Sequence, residues 1–203
     1  MTTIETLREK IDTLRAVEAE RRFGNIIDPG TALEPIGGLP DGTTELFSLF
    51  TRLAGSYFYF KTPPQIRTPD AWQEHEPDES PLGDSLEIGY EILSVGGILP
   101  DDGPHDDERV GAPIRMSTDD GHVYYLDPED YIFLYKNPDA GGVDVETFAP
   151  DPITFFDQFV LGEQYTRLVE VVLSADAVNR RHRKTGEYSD SWRRLLIAAG
   201  LSE

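Results

Sequence analysis

Cysteine is absent from the 203 residues. That excludes a disulfide framework, a Cys-rich zinc site and a thiol nucleophile. Positive charge is scarce: 18 Lys and Arg face 38 Asp and Glu, for a formal charge of −20 and a pI near 4.4. Such a chain repels nucleic-acid phosphates and anionic lipid. No apolar run approaches the roughly 18 to 20 residues of a membrane span. The opening MTTIETLREK has neither the basic nor the apolar region of a signal peptide. The expectation is a soluble, cytoplasmic protein without nucleic-acid or membrane partners.

Recognisable catalytic motifs are missing too. GxSxG, a Walker loop and GxGxxG do not occur, and no two of His75, His105, His122 and His182 have the spacing of a helical metal pair. The run His105-Asp106-Asp107-Glu108 looks like a ligand cluster, but it sits in a Gly/Pro loop without a second histidine nearby. None of the Asp pairs falls into the register of a calcium-binding loop. The reading is therefore no metal, no cofactor and no enzyme.

What is present suffices for a core. Hydrophobic residues make up 38%, with ten Phe, nine Tyr and two Trp, so the chain is not compositionally disordered. Residues 2–22 read as a helix: Thr2 and Glu5 have capping-box spacing, and Ile4, Leu7, Ile11 and Leu14 share a face. Residues 24–40 read as a Gly/Pro connector. A second helix is expected from Asp41 or Thr43 to Leu53, then a strand over Ser56–Phe60. In that strand Tyr57-Phe58-Tyr59-Phe60 is aromatic on both faces, which fits a strand covered on both sides or an aromatic partner-binding patch.

Residues 61–83 and 100–111 read as acidic loops, with a strand over 85–95 between them that places Leu86, Ile88, Tyr90 and Ile92 on one side. Strands are then expected at 113–118, 122–126, 131–136 and 143–148, with Asp120-Gly121 as a hairpin turn. Asp151 caps a helix with Pro152 in its first turn, and helix resumes over 165–173. The basic run Arg180-Arg181-His182-Arg183-Lys184 is the one feature that could touch nucleic acid, but it has no interleaved aromatics in a chain of −20 and reads as an exposed linker before the terminal helix. A terminal helix follows, capped by Ser189 or Asp190. The order helix, helix, strands, helices predicts an α+β fold: a central antiparallel sheet of five to six strands with helices packed on one side.

The charge is local. Between Asp70 and Asp157 there are 23 acids and three bases (Arg109, Arg115, Lys136), a net of −20, while the rest of the chain holds 15 of each. A solvated face accounts for this, and so does a binding face for a cationic partner. The candidate partner-binding residues are Glu74, Glu76, Asp101, Asp102, Asp106, Asp107, Glu108, Asp119 and Asp120.

Several segments resemble a known family. Leu39-Pro40 precedes a Leu/Phe-rich helix closing on Ala54-Gly55-Ser56. The hairpin Ser117-Thr-Asp-Asp-Gly-His-Val-Tyr-Tyr-Leu-Asp127 follows, then Tyr131-Ile-Phe-Leu-Tyr135 and the helix Asp151-Pro-Ile-Thr-Phe-Phe-Asp-Gln-Phe159. That order is similar to the SUKH superfamily, which includes bacterial immunity proteins against secreted toxins and fungal regulators of cell-wall synthesis. The similarity covers roughly residues 39–173. An Asn-Gly-Gly turn after the second helix, found in many members, is missing, and the two acidic loops look like insertions. The last 30 residues lie outside the similarity, and with the elements read above the chain divides into an N-terminal amphipathic helix over 1–23, a SUKH-like domain over 24–173, and a basic linker with a terminal helix over 174–203. The resemblance implies a non-catalytic binding protein whose partner is a basic protein, such as a nuclease or deaminase toxin domain. An acidic regulator or scaffold for a cellular partner, and a DNA mimic, are the alternatives.

Overall fold

The computed structural model describes residues 3–78, 80, 82–92, 110–127, 130, 136 and 145–203. Its centre is one sheet of seven antiparallel strands in which each strand pairs with the next in the chain. The strands are β1 (Ile26–Pro29), β2 (Phe50–Ala54), β3 (Phe58–Lys61), β4 (Ser85–Ile92), β5 (Val110–Ser117), β6 (Val123–Tyr125) and β7 (Glu146–Ala149). The helices among the described residues are α1 (Ile4–Arg21), α2 (Thr43–Phe47), α3 (Pro69–Gln73), α4 (Pro152–Phe155), α5 (Tyr165–Val172), α6 (Ala175–Val178) and α7 (Ser191–Ala198). The fold is α+β, as the element order implies.

One face of the sheet carries the core. Phe50 and Leu53, Phe58 and Phe60, Leu86 and Ile88, Ile114 and Met116, Val123 and Tyr125, and Phe148 are buried against apolar side chains of the helices. Phe47, Phe50, Phe60, Phe155 and Phe156 form a ring cluster with centroids 5.1–6.1 Å apart. Tilted and edge-on geometry dominates, as the ring quadrupoles favour.

Helix α1 belongs to this core. Its cap is Thr3, whose hydroxyl accepts from Thr6 N–H, and Leu7, Ile11 and Leu14 are fully buried. Arg15 donates to the carbonyls of Ile27, Asp28 and Leu49, stitching the helix to the sheet edge. Lys10 reaches a π-helical turn (Phe156–Val160) that continues α4. There Leu161 N–H bonds to Phe156 O at 2.8 Å, which leaves Asp157 O without its helical donor. Lys10 Nζ supplies one at 2.9 Å and pairs with the Asp157 carboxylate at 2.7 Å. Gly162 makes the turn possible, since a Cβ there would lie 2.4 Å from Asp157 O.

The C-terminal helix closes the layer. Asp190 caps α7, Trp192 donates from Nε1 to Val160 O at 2.8 Å, and Leu195 and Leu196 are fully buried. Ser191 joins both ends of the chain: Ser56 Oγ donates to Ser191 Oγ (2.8 Å), which donates to Asn25 Oδ1 (2.6 Å). Asn25 Nδ2 in turn donates to Glu18 on α1 at 2.8 Å.

Several local expectations are corrected. The second helix stops at Phe47, and Phe50–Ala54 is strand β2; its clustered Leu and Phe fit either state, since short apolar runs do not fix a period. The connector contains β1, and the loop at 61–83 contains a 3₁₀ turn (Pro64–Ile66) and α3, capped by Thr68. Among the described residues the sheet passes directly from β6 to β7. Residues 131–135 lie outside the described residues, while Asp130 and Lys136 are helical.

In β4 the pairing steps from Glu87↔Arg115 to Gly89↔Ile114. The extra residue is a bulge that reverses the alternation, so Tyr90 lies on the face away from Leu86. Gly89 then sits under Phe60, where a Cβ would meet the ring at 2.4 Å.

Candidate functional site

The face of the sheet opposite the core carries a polar network on β3, β4 and β5. Arg115 faces Glu87 across the β4–β5 ladder and donates from Nη2 to Glu87 Oε1 at 2.8 Å. Its Nη1 donates to Ser85 Oγ at 3.1 Å and lies 3.6 Å from the Asp78 carboxylate. Tyr90 donates to the other Glu87 oxygen at 2.6 Å, and Lys61 lies 5.1 Å over the Tyr90 ring. Burial, reinforced by the bond to Glu87, pushes the Tyr90 phenol far above its usual range. Tyr59, opposite Tyr90, is also raised by burial, against the lowering effect of Arg52 and Arg67.

Beside this network Asp84 acts as a hub. Both carboxylate oxygens meet His75 Nε2, at 3.0 and 3.1 Å. Oδ1 accepts from Asp78 N–H at 2.9 Å and Oδ2 from the Thr118 hydroxyl at 2.8 Å. Burial alone would raise the Asp84 pKa; the bonds from Asp78, Thr118 and His75 outweigh it and hold the carboxyl below its usual value. The His75 ring stacks on Trp72 with centroids 5.1 Å apart. Thr118 gives its proton to the carboxylate and not to the imidazole, so the three residues form a brace rather than a nucleophile–base relay.

The brace decides where the expected binding residues lie. Glu74 and Glu76 flank His75; Asp119 and Asp120 follow Thr118; and His75 and Thr118 both hold Asp84. Two acidic segments 45 positions apart in the chain (Glu74 to Asp119) are thus anchored on one carboxylate. All four acids are exposed. Glu74, Glu76 and Asp119 make no ion pair among the described residues. Asp120 accepts from His122 Nδ1 at 2.6 Å and from His122 N–H at 3.1 Å, and these bonds lower its pKa to about 2. Asp101, Asp102, Asp106, Asp107 and Glu108, together with the His105 cluster, lie outside the described residues.

Counting residues treated every acid between 70 and 157 as equal, and the structure separates them. Asp78 and Glu87 are engaged by Arg115, Asp157 by Lys10, and Glu146 by Arg167 at 2.6 Å. Sequence reasoning missed Arg115, Asp84 and Tyr90 as organisers, since their partners come from neighbouring strands and no local signal marks them. The aromatic run at 57–60 alternates: Phe58 and Phe60 are buried and Tyr57 and Tyr59 half-buried. Among the described residues no group of three His, Asp or Glu is placed to hold a metal ion, and no helix is long and apolar enough to cross a membrane. Comparison with protein-family models, curated proteins and solved structures finds no match to this chain.

Proposed function

We propose that this chain is a non-catalytic binding protein that blocks a basic protein partner, in the manner of the SUKH-type immunity proteins its segments resemble, with a nuclease or deaminase toxin domain as the partner class. The observation that carries the reading is the pairing of exposed, uncompensated acids on a rigid support. Glu74, Glu76 and Asp119 project from two segments locked together through Asp84, within the part of the chain that holds the whole −20. Carboxylates carried on braced segments and unpaired among the described residues accelerate encounter with a cationic cleft.

The test is association of the full chain with the product of the adjoining gene, followed at low and at physiological salt. Complex formation is expected, with an on-rate that falls steeply as salt rises. The combined variant E74K/E76K/D119K/D120K should associate about tenfold or more slowly at low salt. A second variant reversing Asp101, Asp102, Asp106, Asp107 and Glu108 measures the share of that loop. The reading fails if the two proteins do not associate, or if both variants bind at the wild-type rate.

A further inference from the structure

The basic run expected to be a linker is an ordered hairpin, separate from the acidic segments. Arg181 and Tyr188 pair across it. Ser189 N–H bonds to Arg180 O, His182 N–H to Glu187 O and Gly186 N–H to His182 O, each at 2.9 Å. Gly186 takes the left-handed conformation (φ 74°) that the turn requires. Two arginines hold the hairpin in place. The guanidinium carbons of Arg181 and Arg193 lie 3.9 and 3.8 Å from the centroid of the Tyr188 ring. Arg181 also donates to Gly186 O (3.0 Å), and Arg193 on α7 donates to Val178 O (2.6 Å). The hairpin is thereby fastened to α7 and preorganised.

The remaining cations are less engaged. His182, Arg183, Lys184, Thr185, Glu187 and Arg194 line an open hollow of about 410 Å³. Arg183 and Lys184 are exposed and make no ion pair among the described residues. Among the described residues Arg194 meets an acid at Glu187, 3.5 Å from Nη1; its guanidinium carbon lies 5.4 Å from the Phe23 ring centroid, and its buried Nε has no acceptor. Arg183 and Lys184, unpaired among the described residues, together with the Arg194 guanidinium and the Thr185 hydroxyl form a donor set suited to an oxyanion.

We propose that this hollow binds a compact phosphoryl anion, the di- or triphosphate group of a small molecule. Arg183 and Arg194 supply charge-assisted hydrogen bonds, Lys184 a point charge and Thr185 a hydroxyl donor. Glu187 is the internal competitor, since its carboxylate already stands at Arg194 at a distance too long for a strong bond. A long polyanion is disfavoured because its outlying phosphates meet a chain of net charge −20, whereas a compact anion places its charge among the cations.

Calorimetric titration of the full chain with tripolyphosphate at constant ionic strength tests this, with a short single-stranded RNA as a second arm. Saturable one-to-one binding is expected. R183Q and R194Q should each weaken it about tenfold, and E187Q should tighten it. Arg183 is exposed, so R183Q stays informative should R194Q disturb folding; thermal melts check both. The proposal is overturned by absence of saturation with tripolyphosphate, by unchanged affinity in R183Q, by weaker binding in E187Q, or by RNA binding tighter than tripolyphosphate at the same salt.

Discussion

Burial raises the pKa of two aspartates, and what surrounds each decides opposite net shifts. Asp190 is 3% exposed, and burial raises its pKa to about 6, against the N–H groups of Trp192 and Arg193 that favour the charge. The fully buried Tyr165 hydroxyl interacts with the same carboxylate without closing a hydrogen bond. A raised carboxyl stabilises the fold fully below its unfolded pKa near 3.8, and that contribution is lost as pH rises through about 6. The span corresponds to about 3 kcal/mol. Asparagine caps helices as well as aspartate does, so D190N should keep the cap and remove this pH dependence. Urea unfolding at about pH 4.5 and pH 7.5 reads it: wild type should lose about 2–3 kcal/mol more than D190N between the two. Asp84 has the opposite sign. Its lowered pKa stabilises the fold above its unfolded value and is lost as pH falls through the folded one. D84A leaves Thr118 and His75 without their acceptor and should lower stability by about 1–3 kcal/mol at pH 7, read by the same unfolding curves.

At the scale of elements, stability rests on joints between segments far apart in the chain. The π-helical turn needs Lys10 from α1 to satisfy Asp157 O. K10M should cost about 1–3 kcal/mol and increase hydrogen exchange at Leu161 and Gly162, where a surface ion pair would be nearly silent. The β4 bulge needs Gly89; G89A drives a Cβ into Phe60 and should destabilise by about 1–3 kcal/mol in a thermal melt. These joints mark the limit of what was legible in the sequence. The caps of Asp151 and Asp190, the Asp120-Gly121 turn and the α+β order follow from local chemistry and were readable, whereas the α1 cap falls on Thr3 and not on the Thr2–Glu5 pair that the spacing suggested. The end of α2 at Phe47 and the face of Tyr90 were not readable. Each depends on a ladder partner, Lys61 for Arg52 or Ile114 for Gly89, that only the assembled sheet supplies. For the acidic surface, the sequence showed which residues carry charge but not which are neutralised. Arg115, distant in sequence from Asp78 and Glu87, decides that.

For the molecule as a whole, the excess charge has a consequence that needs no partner. Self-repulsion in a chain of −20 is screened by salt, while its few exposed ion pairs contribute little. Raising NaCl from about 0.02 M to about 0.5 M should therefore raise the melting temperature by roughly 2–5 °C. A fall would mean that the engaged pairs outweigh the repulsion. The strand order has a further implication, for the timing of synthesis. Since every strand pairs with its predecessor, the sheet can grow strand by strand as the chain leaves the ribosome. Helix α1 does not share this advantage. Its stripe Leu7, Ile11 and Leu14 belongs to the same core as Trp192, Leu195 and Leu196 of α7, which packs on α1 and leaves the ribosome long after it, and the Asn25–Ser191–Ser56 bonds form then as well. A nascent chain arrested before residue 190 thus carries a nearly finished sheet beside an uncovered greasy stripe, the state in which proteases and chaperones meet it.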